Sequence, residues 1–85
     1  MAFFFYILFS KKLAKYYVGH TGNSLEKRVQ QHNTNHKGFT GGYGDWELVY
    51  SESYESKVDA YKRERIVKGW KSKLKILQLV QSIPT

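Results

Sequence analysis

The chain has no cysteine, a single proline and half as many acidic as basic residues, 7 against 14. Without cysteine there are no disulfides and no thiolate metal ligands, which fits a reducing cytoplasm. No stretch is long enough to span a bilayer. The apolar residues 2–9 are too few, follow no basic residue and precede no small-residue cleavage site, so they read as a buried strand rather than an export signal. Repeats, linkers and low-complexity segments are also missing. With 85 residues, one domain over 1–85 is expected, with a modest core and stability on the order of several kcal/mol.

What the chain does have is positive charge, +7 in all. The excess is uneven: from Lys57 to Lys75 there are eight lysines or arginines against Asp59 and Glu64. A basic face with aromatic neighbours suits a polyanion, most simply nucleic acid. A lysine-rich solvated surface gives the same count.

The pattern predicts six elements. Residues 2–9 form a Phe-rich strand with Tyr6 inside it. Residues 15–19 form a second strand, ended by Gly19. Ser24 is a good helix N-cap, and a helix runs from Leu25 to about Asn33 with Leu25, Val29 and His32 on one face. Residues 33–45 hold four glycines, Gly38, Gly41, Gly42 and Gly44, and read as a loop. Residues 46–52 alternate apolar and polar, as a half-buried strand does. Ser56 with Asp59 resembles a capping box and starts a helix from Lys57 to about Lys68, with Gly69 as its stop. Residues 72–82 read as a last amphipathic helix that packs Leu74 and Leu77 inward, with Ile76 and Val80 as further candidates. Pro84 lies beyond it. The order β-β-α-β-α-α implies an α+β fold: a small antiparallel three-stranded sheet flanked by helices.

Four groups look misplaced in a mere scaffold. Tyr6 and Tyr17 stand on neighbouring strands joined by a short link, which brings two phenols together. Arg28 is near the start of the first helix. Glu64 sits within the basic run Lys62-Arg63-Glu64-Arg65, on a helical side shared with Ala60 and Val67.

These residues carry a resemblance. Phe4-Phe5-Tyr6 stands where the GIY-YIG nuclease superfamily has Gly-Ile-Tyr, and Tyr17-Val18-Gly19 stands where it has Tyr-Ile-Gly. Ser24 to Asn33 is similar to its arginine helix, with a histidine one turn later. Lys62 to Ser72 is similar to the segment bearing its metal-binding glutamate. The chain therefore resembles this superfamily from Phe3 to about Leu77, and within it the small single-domain bacterial proteins and the nuclease domain of the excision-repair endonuclease. Departures are Phe4 in place of Gly, a loop before Arg28 that is one residue longer, and Ile76 where repair relatives have Asn.

The resemblance implies hydrolysis of DNA phosphodiester bonds with a single divalent metal, Mg²⁺ or Mn²⁺, in repair or recombination. It implies that Tyr17 activates water, Tyr6 supports it, Arg28 holds the scissile phosphate, His32 assists as an acid–base group and Glu64 binds the metal. His20 stands where some relatives have a lysine, and joins Lys62, Arg63, Arg65, Lys68 and Lys71 as candidates for contacting nucleic acid. Tyrosine with its ordinary pKa of about 10 is a poor base at neutral pH. Cations such as Arg28, His20 or a metal would lower it.

Each residue also has a plain structural use. The tyrosines fit half-buried strand positions, His32 a core edge, and Glu64 an i,i+4 pair with Lys68. The same fold with its basic helix would also serve a non-catalytic nucleic-acid-binding module, or one whose basic face meets an acidic protein.

Overall fold

Strand β1 (Phe3–Ser10) is the middle of a three-stranded antiparallel sheet, between β2 (Lys15–Thr21) and β3 (Trp46–Tyr54). Helix α1 (Leu25–Thr34) precedes β3, and α2 (Lys57–Gly69) and α3 (Lys73–Gln81) follow it. These elements are seen in a computed structural model that describes residues 2–34 and 45–82. The order and the antiparallel sheet are those expected from the sequence. Most of the expected glycine-rich loop lies outside the described residues.

An unbroken apolar strand needs cover on both faces, and β1 has it. Phe5 and Ile7 point to one side, where they pack with Val18 and Val67 and with Tyr54, Trp70, Ile76, Leu79 and Val80. Tyr6 and Leu8 point to the other, against Trp46, Leu13, Tyr17, Leu25 and Val29. The α2–α3 pair thus covers one face and α1 the other. Burying a side chain such as Phe5 or Ile7 contributes about 1.5–3 kcal/mol.

Capping follows the sequence closely. The backbone N–H groups of Lys27, Asp59 and Lys75 donate to the hydroxyls of Ser24, Ser56 and Ser72. Each serine satisfies a donor that the first turn leaves without a partner.

Four expectations need correction. First, β2 does not stop at Gly19 but pairs with β1 as far as Thr21. Gly19 lies inside the strand, opposite Tyr6, where a Cβ would come 2.6 Å from the Tyr6 hydroxyl and 2.8 Å from its Cζ. The glycine makes room for a phenol instead of making a turn. Second, β3 runs on to Tyr54 and contains a bulge. Ile7 faces Tyr50 while Leu8 faces Leu48, which leaves Val49 as the extra residue and breaks the simple alternation. Third, Gly69 is still helical, and the left-handed residue beyond α2 is Lys71, at φ 50°. Fourth, Leu74 is 64% exposed. The expected Ile76 and Val80, joined by Leu79, supply the packed face of α3, an i, i+3, i+4 set.

Asn33 closes the end of α1 onto β3. Its amide donates to the Trp46 carbonyl at 3.0 Å and accepts from the Trp46 N–H at 2.8 Å. A side chain here substitutes for a strand partner.

Candidate active site

The β1–β2 register places Tyr6 across from Gly19 and Leu8 across from Tyr17. Tyr6 and Tyr17 are therefore diagonal neighbours on the α1 face, with ring centroids 6.3 Å apart. Helix α1 brings Arg28 and His32 over them. Arg28 Nε donates to the Tyr6 hydroxyl at 3.0 Å. That hydroxyl lies 3.1 Å from His32 Nε2. The phenol accepts from Arg28 and shares a hydrogen bond with the His32 imidazole, whose direction follows the imidazole tautomer. His32 also packs on Tyr17, ring centroids 4.5 Å apart.

Tyr6 and His32 are both held in their neutral forms. Burial pushes the Tyr6 phenol above its ordinary value, outweighing the Arg28 guanidinium that works to lower it. Arg28 acts in the expected direction at Tyr6, but burial outweighs it and the phenol stays protonated. Burial, then the Arg28 charge, pushes His32 below the ordinary imidazole range. The result is a line of three fixed groups, cation to phenol to neutral imidazole. Arg28 Nη1 additionally donates to Gln31 Oε1 at 3.1 Å, and the Tyr17 phenol lies within hydrogen-bonding reach of the same guanidinium.

Glu64 belongs to a second cluster. It projects from α2, one turn from the buried Ala60 and three residues before the buried Val67, and its side chain is 12% exposed. Oε1 meets His20 Nδ1 at 2.8 Å and Oε2 meets Lys68 Nζ at 3.2 Å. His20 is opposite Phe5 in the register, so it faces α2 rather than α1. The two clusters meet through Lys68, whose ammonium is 6.0 Å from the Tyr17 ring centroid. The Glu64 charge is also felt at Tyr6. The structure thus gathers Tyr6, Tyr17, Arg28 and His32 tightly, and sets Glu64, His20 and Lys68 beside them.

The other basic candidates divide. Lys62, Arg65 and Lys71 are exposed, and Arg65 packs on the Tyr61 ring. Arg63 turns toward the sheet. Its guanidinium binds Glu52 through Nε at 3.1 Å and stands 5.8 Å from the Phe5 and Trp70 ring centroids. Glu52 also accepts from Tyr50 and Tyr54. Burial works to raise the Glu52 carboxyl, but these hydrogen bonds and the Arg63 charge outweigh it and hold it below the carboxylate range. Tyr54 is pushed up to about 12 by burial and by its bond to Glu52. Arg63 is a fixed structural cation here.

Sequence reasoning passed over Tyr61, whose ring meets His20 edge-on at 5.3 Å between centroids, and Gln31. Gln31 was findable from its i+3 spacing to Arg28. The His20–Tyr61 contact is tertiary and has no local signal.

A family model described as the GIY-YIG catalytic domain matches residues 2–77. The chain belongs to the GIY-YIG family. Among its relatives is a UPF0213 protein of Clostridium perfringens, 42% identical over 67 residues, which cover 78% of this chain and 70% of the relative. The solution structure of a UPF0213 protein from Bacillus halodurans is similar, with a TM-score of 0.59 and 29% identity over 95% of this chain and 84% of that one. The GIY-YIG membership accounts for the three-stranded antiparallel sheet and its helices.

Among the described residues no three His, Cys, Asp or Glu side chains converge. Glu64 offers two hard oxygens at the meeting point of the clusters, each already facing a nitrogen. Such a carboxylate fits a single hydrated Mg²⁺ or Mn²⁺ that keeps most of its waters, provided that Lys68 yields Oε2. No helix among the described residues is long and apolar enough to cross a membrane.

Proposed function

We propose that this protein is a divalent-metal-dependent endonuclease that hydrolyses phosphodiester bonds in DNA with little sequence specificity, serving repair or recombination in the cytoplasm. The observation that carries the proposal is the Arg28–Tyr6–His32 line lying directly beside Tyr17.

Each group has a task set by its surroundings. Arg28 holds the scissile phosphate and offsets the charge that grows in the transition state. Its Nε is fixed by Tyr6, so the guanidinium is aimed before substrate arrives. Tyr6 remains a neutral phenol, because burial disfavours its ionised form. Tyr17, the less buried phenol, is left to orient and activate the attacking water. His32 is engaged at Nε2 by Tyr6, so it works on the water only through the phenols. Glu64 would hold the divalent cation, which when bound stabilises the leaving oxygen. Lys62, Arg65, Lys68 and Lys71 would meet phosphates along the strand, with His20 bracing Glu64.

One observation favours the rival reading of a nucleic-acid-binding module without catalysis: both Glu64 oxygens already have cationic or hydrogen-bonding partners. A cleavage panel over linear and branched DNA in Mg²⁺ and in Mn²⁺ separates the two. The nuclease reading expects cutting by the wild type and loss of about 10²–10³ in rate for Arg28→Ala, with a comparable loss for Glu64→Ala. Cutting that survives Glu64→Ala, or a wild type that cuts no substrate with either metal, refutes it.

A further inference from the structure

The Glu64 carboxylate has two different partners. On Oε1, the His20 ring is held between the carboxylate and Tyr61, at 2.8 Å from the first and with 5.3 Å between ring centroids to the second. On Oε2 stands Lys68, at 3.2 Å, with a side chain 52% exposed. His20 is clamped and Lys68 is not. The cleft beside Glu64 is lined by Tyr61, Arg65, Lys68 and Gly69. A Cβ at Gly69 would meet nothing within 4 Å, so the Gly69 wall of this cleft leaves space. Lys68 also lines a second cleft, with Lys15, Lys71 and Lys73, and its ammonium is 6.0 Å from the Tyr17 ring centroid.

We propose that Lys68 is a resident counter-ion on Glu64 that a divalent cation must displace, and that the displaced ammonium then serves the substrate phosphate beside Tyr17 and the lysine-lined cleft. The inference rests on the metal-dependent reading above. One carboxylate oxygen does not hold an ammonium and a doubly charged ion together, because at contact distances their repulsion is large in a partly buried site. The i,i+4 order, Glu before Lys, is the favourable one on a helix, so without metal the pair is stable and Glu64 is never left as an unpaired, half-buried charge. Loading the metal would convert Lys68 from a partner of the protein into a partner of DNA. Metal and DNA would then bind cooperatively, each raising the affinity of the other by the same factor.

The test is a Mn²⁺ titration of the full chain followed by water-proton relaxation, in the wild type, Lys68→Met, Lys68→Arg and Glu64→Gln. Met keeps the apolar stem of an exposed helix position, so the fold is preserved. Lys68→Met is expected to bind Mn²⁺ roughly two- to fivefold more tightly than wild type, Lys68→Arg to bind as wild type does, and Glu64→Gln to lose the site. Fluorescence anisotropy with duplex DNA supplies the second readout: replacing EDTA by Ca²⁺ should raise affinity in the wild type and leave Lys68→Met unchanged. Equal Mn²⁺ affinity in wild type and Lys68→Met overturns the inference while leaving the metal reading intact. A complete lack of Mn²⁺ binding in both overturns the two together. Tighter binding by Lys68→Met with no cleavage by the wild type upholds the exchange and removes the nuclease.

Discussion

Replacing Gly19 with alanine adds one methyl group where the structure has no room. The new Cβ would lie 2.6 Å from the Tyr6 hydroxyl, 2.8 Å from its Cζ and 3.2 Å from Tyr17 Cε2. Ordinary carbon contacts begin at about 3.5 Å, so the Tyr6 ring would have to move by close to an ångström. It has nowhere to go: Tyr6 is 1% exposed and its hydroxyl is fixed at 3.0 Å to Arg28 and 3.1 Å to His32. A shift of that size breaks both bonds. Overpacking costs about 1–3 kcal/mol and the two lost hydrogen bonds about 1 kcal/mol each, so a destabilisation of roughly 3–5 kcal/mol is expected. In a domain of this size, Tm should fall by roughly 12–40 °C. Urea unfolding followed by circular dichroism measures the first quantity, and a thermal melt the second. The His32 imidazole, followed by NMR, should also titrate closer to its ordinary value. A Gly19→Ala protein within about 0.5 kcal/mol of wild type, with His32 still depressed, would refute the account of why glycine is needed there.

The same substitution at Gly69 should have the opposite sign. This glycine is helical with open space around its Cβ position, so Gly69→Ala is expected to stabilise by up to about 1 kcal/mol in the same urea assay. Stability should also depend on pH in two windows. His32 is depressed when folded, so the unfolded chain binds the proton more readily. Its contribution is complete above the ordinary imidazole pKa of about 6.5 and is lost as pH falls through the lower folded value. Glu52 is depressed too, and its contribution is lost at lower pH, as the medium drops below the ordinary carboxylate value of about 4.3. Urea midpoints across pH should show both steps, and Glu52→Gln should remove only the second. Lys71→Gly, which relieves the left-handed backbone at φ 50°, should stabilise by roughly 0.5–1 kcal/mol.

The sequence was most legible where local rules coincide with tertiary ones. The unbroken run from Phe3 to Phe9 reads as a strand covered on both faces, and it is one. The serines at 24 and 56 read as caps because a hydroxyl before a helix has a clear partner. Reading failed where a residue's reason lies far away in the chain. Gly19 looks like a terminator until the phenol that needs its space is seen across the strand. Val49 is a bulge because β1 pairs on both sides of it, and nothing in residues 46–54 announces that. Leu74 and Leu79 are equally apolar, but the turn at Lys71 sets which of them meets the sheet. The site divides in the same way. Two tyrosines on adjacent strands, an arginine and a histidine one turn apart were visible. That the histidine meets the Tyr6 hydroxyl, and that His20 grips Glu64 from 44 positions away, depends on packing that no local pattern encodes.

Strand β1 places Phe5 and Ile7 in one layer and Tyr6 and Leu8 in the other. Scaffold and reactive groups are therefore interleaved on one ribbon with a two-residue period. A single-residue insertion or deletion inside β1 would exchange them, sending a phenol into the α2–α3 core and a phenylalanine toward Arg28. This strand can accept only substitutions that suit each layer, and length changes only in pairs, so length variation in a lineage should collect elsewhere. The phase of one strand is in effect a lock that keeps the chemistry from drifting apart from the architecture.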